Sequence, residues 1–169
     1  MPSLQEGELT FDFPDEGSEV AKYDEWSFFR NQFQTVCGRA GGVDFIFVEH
    51  QRTWLIEVKD YRHHRRTKVA DLAGEIAAKV RDTLAGLAAC RCNANDTDEQ
   101  HVSDRALSTP AIGVVLHLEQ PARHSKLFPR VADPADLTQR LKQLLKPVDP
   151  HPRVVDRLSL HPSMRWTVR

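Results

Sequence analysis

Three charged residues stand in apolar company. Asp44 lies near the start of the run 43–49, VDFIFVE, and Glu57 and Lys59 lie at the end of the run 53–59, TWLIEVK. Both runs have strand length and are rich in aromatic and β-branched residues, and His50-Gln51-Arg52 between them is short enough for a hairpin. Side chains alternate faces along a strand. Trp54, Ile56 and Val58 therefore share one face of the second strand, and Leu55, Glu57 and Lys59 share the other. On the first strand Val43, Phe45 and Phe47 oppose Asp44, Ile46 and Val48 in the same way. A two- or four-residue loop makes the two wholly apolar faces coincide and gathers Asp44, Glu57 and Lys59. A three-residue turn without a bulge would set Phe45 and Phe47 among the charges. The hydrophobic pattern thus selects the register that brings the three together.

Carboxylates this close repel when half-buried, and a cation must offset the repulsion. Lys59 supplies one charge. A divalent metal supplies two and suits oxygen ligands; magnesium takes one or two carboxylates and completes its shell with water and phosphate. Asp44 and Glu57 therefore read as ligands of Mg2+ or Mn2+, with Lys59 beside the bound water or phosphate. Such a metal would acidify water and stabilise charge on a leaving oxygen. The bland alternative is a cross-strand ion pair on a solvated face. Ile46, Val48 and Leu55 beside the charges argue against it.

The elements that must position these residues follow from pattern. Residues 9–13, LTFDF, alternate as a short strand, and Pro14 to Gly17 break it. Ser18 is a plausible N-cap, and Trp26, Phe29, Phe33 and Val36 form a helical stripe, so a helix is expected over about 18–36. Residues 67–90 read as the longest helix, with Val69, Leu72, Ile76, Val80, Leu84 and Leu87 on its buried side. Residues 93–108 are polar and read as a surface loop. Residues 111–118, AIGVVLHL, read as a central strand. Asp133-Pro134 starts a helix with Leu137, Leu141, Leu144 and Leu145 on its stripe, stopped near Pro147. Short strands are expected around Val154-Val155 and Trp166 to Val168.

Composition sets bounds. The 169 residues suit one domain with a real core, here taken as 1–169. The net charge of −1 excludes any whole-molecule pull toward nucleic acid or membrane, so such attraction must be local. Three cysteines, Cys37, Cys90 and Cys92, fit a reducing compartment better than a disulfide framework. Cys90, Cys92 and His101 would make only three ligands, too few for structural zinc. The start MPSLQEGELT has neither the basic nor the apolar segment of a signal peptide, and no run is long enough to span a bilayer, so the expected compartment is the cytoplasm.

Asp44, twelve residues, then Glu57-Val58-Lys59 resembles the PD-(D/E)XK nuclease superfamily, to which many restriction endonucleases belong. The order helix, hairpin, long helix, strand is similar to that family's core over about residues 18–118, leaving 119–169 as a C-terminal extension. The resemblance implies an α/β fold: a restriction endonuclease-like central mixed sheet flanked by helices in αβββαβ order, with an extra C-terminal helix. It implies Asp44 and Glu57 as metal ligands, an added oxygen from the Val58 carbonyl, and Lys59 as the group that positions or activates water. A further glutamate comes from the first helix in some members; Glu25 is the best placed, with Asp24 and Glu19 behind it. The expected activity is Mg2+- or Mn2+-dependent hydrolysis of phosphodiester bonds in nucleic acid, DNA foremost. The alternative is an inactive module of that fold serving nucleic-acid binding or assembly. A homodimer or a partner subunit would then supply recognition.

Two basic groups complete the expectations. Arg62, His63, His64, Arg65, Arg66 and Lys68 follow the second strand directly and read as a phosphate-contacting lip or, blandly, as a solvated loop. Lys79 lies one turn after Glu75 and reads first as a surface i,i+4 pair. The family often places a basic side chain on this helix facing the site, which makes Lys79 a second nucleic-acid contact.

Overall fold

The computed structural model describes residues 1–63, 71–121, 123 and 131–169. The chain runs β1 (Ser3–Glu6), β2 (Leu9–Asp12), β3 (Glu19–Lys22), a 3-10 turn (Tyr23–Glu25), a short π-helical turn (Phe29–Phe33), β4 (Phe45–Val48), β5 (Thr53–Asp60), α1 (Leu72–Asn93), α2 (Thr97–Ser108), β6 (Ile112–Glu119), α3 (Pro134–Leu145), β7 (Arg153–Val155) and β8 (Thr167–Val168). The class is α/β. Five strands form a mixed sheet in the order β3-β4-β5-β6-β7, antiparallel from β3 to β5 and parallel from β5 to β7. A second sheet, β1-β2-β8, is antiparallel. Gly7, at φ +57, supplies the left-handed backbone of the two-residue turn that joins β1 to β2.

The β4–β5 register is the one that parity selects. Phe45 pairs with Ile56 and Val48 with Thr53, across a four-residue connection at 49–52. The two faces of the sheet serve different layers. Phe45, Phe47, Trp54, Ile56 and Val58 pack against Phe11, Phe13 and Trp166 of the small sheet's layer. Ile46, Val48 and Leu55 pack against Ile76, Val80 and Leu87 of α1 and, through the same core, against Leu141 of α3. A one-residue slip of β5 would take Trp54, Ile56 and Val58 out of the aromatic layer, at about 1.5–3 kcal/mol each. Surface-grade ion pairs return far less than that.

Several expectations need correction. No long helix occupies 18–36. Glu19–Lys22 is an edge strand on β4, so a helix does not precede the meander and the αβββαβ order is not observed. Every residue of this strand is half-buried, which leaves no alternation to read. The expected stripe survives only in its middle: Trp26 and Phe29 are buried, whereas Val36 is exposed. Residues 93–108 hold a helix, α2, and not a loop; Asp96 caps it by accepting from the Asp98 and Glu99 amides. Strand β1 carries no hydrophobic signature and was not expected. The long helix ends at Asn93; its described part begins at Leu72, and its expected start at 67–70 lies outside the described residues. The described part of 119–169 contributes strands to both sheets, since β7 pairs with β6 and β8 with β2. No helix among the described residues is long and apolar enough to cross a membrane.

Candidate functional site

The charged residues of β5 face α1. Glu57 is almost wholly buried, at 1% exposure. Its Oε1 receives the Lys59 ammonium at 2.7 Å and the Lys79 ammonium at 2.6 Å. Lys59 also lies 3.5 Å from Glu75 of α1. Asp44 sits one residue before β4 and is buried; its Oδ2 accepts the Val58 amide at 2.6 Å, and its backbone carbonyl accepts the Tyr23 amide at 2.9 Å. The second bond fixes the 3-10 turn, which carries Asp24, against the mouth of the site. Carboxylate oxygens of Glu6, Asp24 and Asp44 all lie within 4.8 Å of one another. Asp24, Asp44, Glu75, Lys79, Asp82 and Arg39 line a cleft of about 650 Å3.

Acids outnumber bases here, and the ionisation shows it. Burial, reinforced by Glu57, pushes the Asp44 carboxyl up to about 8; Lys79 and the Val58 amide oppose the rise. Burial, then Glu6, also raises Asp24. Burial alone would lower the Lys59 ammonium, but Glu57, Asp44 and Glu75 hold it above the ordinary lysine value. Lysine thus compensates one side of Glu57 and leaves the Asp44 side short of positive charge.

The donor set fits a hard divalent cation. Among the described residues, Glu57 Oε2 is buried with no hydrogen-bond partner, and so is Asp24 Oδ1. Asp44 spends Oδ2 on an amide, which leaves Oδ1 for a ligand. Orphaned carboxylate oxygens at such depth are what an oxygen-seeking ion satisfies.

Of the residues expected from sequence, Asp44, Glu57, Val58 and Lys59 come together, and Lys79 joins them by reaching Glu57 across the layer. Glu25 does not. It is half-exposed and pairs with Lys22 at 3.1 Å, while its neighbour Asp24 faces Asp44. In a 3-10 turn adjacent side chains diverge, so the helix geometry that favoured Glu25 does not apply. Arg62 is committed to Asp60 through two bonds of 2.9 and 2.6 Å. His63 is exposed and lies 3.7 Å from Glu8. The basic lip is therefore partly neutralised by acids at its own base. His64, Arg65, Arg66 and Lys68 lie outside the described residues. Glu6 was missed, because nothing in SLQE marks a strand. Glu75 was assigned to a surface pair; the signal that could have placed it was its position one residue before buried Ile76.

No family model matches the chain, and no solved structure matches it. The chain is 36% identical over 168 aligned residues to the Cysteine–tRNA ligase of Neisseria meningitidis serogroup A, an alignment that covers 81% of this chain. The chain spans about a quarter of that relative's length (24%). This finding overturns the assignment to the PD-(D/E)XK nucleases, and with it the expected phosphodiester hydrolysis and its alternative as an inactive module of that fold. A spacing of Asp, twelve residues and Glu-x-Lys specifies only one face of a hairpin. Any chain with these two strands and a need to balance two buried acids arrives at the same pattern. The lysines here are seen in that balancing role.

Proposed function

We propose that this chain is an aminoacyl-tRNA synthetase-related module that contacts tRNA, and that its carboxylate cleft holds Mg2+ or Mn2+ where the RNA backbone docks. The observation that carries this reading is the 36% identity, over 81% of the chain, to part of a protein named for joining cysteine to tRNA. Because the match spans only a quarter of that protein, the chain is read as a contributor to such an enzyme and not as the whole catalyst.

The electrostatics supply the mechanism. Asp24, Glu57, Glu75 and Asp82, joined by Asp44 once it ionises, outweigh Lys59, Lys79 and Arg39 around the cleft, so a polyanion would gain little by entering it. A divalent ion on Asp44 and Glu57, with the Val58 carbonyl as a further oxygen, would reverse that sign. Such an ion completes its shell with water and with phosphate oxygen. Lys59 and Lys79, already drawn to Glu57, would then lie beside the phosphate.

The test is tRNA binding by the purified chain, with and without Mg2+. Affinity for tRNA should exceed that for a DNA duplex of equal charge. It should fall at least about tenfold on chelation or in Glu57→Gln. Equal binding to duplex DNA and tRNA, or binding indifferent to both magnesium and Glu57, would remove the proposal.

A further inference from the structure

A second cavity, of about 530 Å3, lies at the other end of β5. Arg52, just before β5, and Arg153, the first residue of β7, both line it, with Ile112 of β6 between them. Pro110 and Val148 add apolar wall, and His151 stands at the rim. Arg52 and Glu57 are five residues apart on an extended strand, about 16 Å, so the cavity is separate from the carboxylate cleft.

The arginines of this cavity combine partial burial with the lack of an acid partner; among the described residues Arg30 and Arg39 also pair with no carboxylate, but both are exposed. Arg62, Arg105, Arg140, Arg165 and Arg169 each hold a carboxylate. Among the described residues, Arg52 and Arg153 hold none. Both are half-buried. The Arg52 guanidinium lies 4.9 Å from the centre of the Trp54 ring, and its Nε is buried with no hydrogen-bond partner. The one acid lining the cavity, Asp149, accepts the Val114 and His151 amides, each at 2.8 Å, and so braces the loop against β6. Its single charge stands against two guanidiniums and is paired with neither of them.

Two half-desolvated guanidiniums facing one carboxylate are short of negative charge. A phosphate relieves that, because the planar fork matches its oxygens. The volume exceeds what a bare phosphate fills and lies within the range of small-ligand sites. The wall of Pro110, Ile112 and Val148 suits a flat apolar body. We propose that this cavity binds a phosphomonoester with a flat organic body, of the size of a nucleoside monophosphate, with its phosphate on Arg52 and Arg153. The proposal is independent of the function argued above.

Calorimetric titration of the full chain with adenosine 5′-monophosphate, inorganic phosphate and adenosine tests it. The monophosphate should bind with a Kd below about 1 mM and at least about tenfold tighter than either fragment. Arg153→Met, at a side chain with no ion pair among the described residues and with an apolar stem kept in place, should keep the melting temperature and weaken binding at least about tenfold. Asp44→Asn in the other cleft should leave this affinity unchanged. The proposal is overturned by inorganic phosphate or adenosine binding as tightly as the monophosphate, by an unaffected Arg153→Met, or by no binding at about 10 mM.

Discussion

Asp44 keeps its proton in surroundings that make its charge unwelcome. Its carboxyl ionises near 3.8 in an unfolded chain and only at about 8 in the folded one. Burial is the main cause; Glu57 and Glu6 add to it, while Lys79 and the Val58 amide subtract. Between those two values the folded state binds more protons than the unfolded state, so this group makes stability fall as pH rises from about 4 to about 8. Thermal melts without divalent ions should show this fall, and Asp44→Asn should flatten it. Mg2+, which needs the ionised carboxylate, should raise the melting temperature more at pH 8 than at pH 5.5. A wild-type melting temperature that climbs over this range, with Asp44→Asn following the same curve, would show that Asp44 is not held in its neutral form.

Among the elements, the segment before β4 depends on one close approach. A Cβ on Gly86 of α1 would collide with the Tyr23 hydroxyl and come within 3.2 Å of the Phe33 ring. That hydroxyl is buried and has no hydrogen-bond partner. Gly86→Ala should destabilise the fold by about 1–3 kcal/mol through overpacking, although alanine is favoured in a helix by about 1 kcal/mol. Tyr23→Phe removes the colliding oxygen, so the double variant should recover most of the loss in urea titrations. A double variant as unstable as Gly86→Ala alone would place the cost elsewhere. The same segment marks where the sequence stops being readable. Strands β4, β5 and β6 are apolar runs of strand length and helix α3 has a periodic apolar face, and their places follow from those patterns. Strand β3 is half-buried throughout, β1 has no apolar pattern, and α2 buries only Ser103 and Ala106. Such elements are held by partners distant in sequence. Glu99 of α2, for example, accepts the Ser27 and Phe28 amides at 2.6 and 3.0 Å. Parity could therefore place Asp44, Glu57 and Lys59 together, but Asp24 and Glu6 enter the site on elements that only tertiary contacts define.

Across the whole molecule, the five-stranded sheet carries Glu57 and Lys59 on its helical face and an aromatic core on the other. The aromatic side is closed by a narrow layer. Trp166 is 1% exposed and touches Phe13, Phe47 and Trp54, with ring centres 5.4–6.0 Å apart. Trp166→Ala should cost about 3–5 kcal/mol by leaving a cavity there. Trp166→Phe should cost less than half of that, because the buried indole N–H has no acceptor to lose. Denaturant titration distinguishes the two, and equal losses would mean that the ring itself contributes little. Strand β8 follows Trp166 directly and is only two residues long, held to β2 at Phe11 and Asp12. If that short strand detaches with Trp166, Trp54 and one side of Phe47 are uncovered while the acids on the far side stay in place. Ageing of the protein in solution should therefore begin as concentration-dependent clumping of molecules whose carboxylate cleft is still intact.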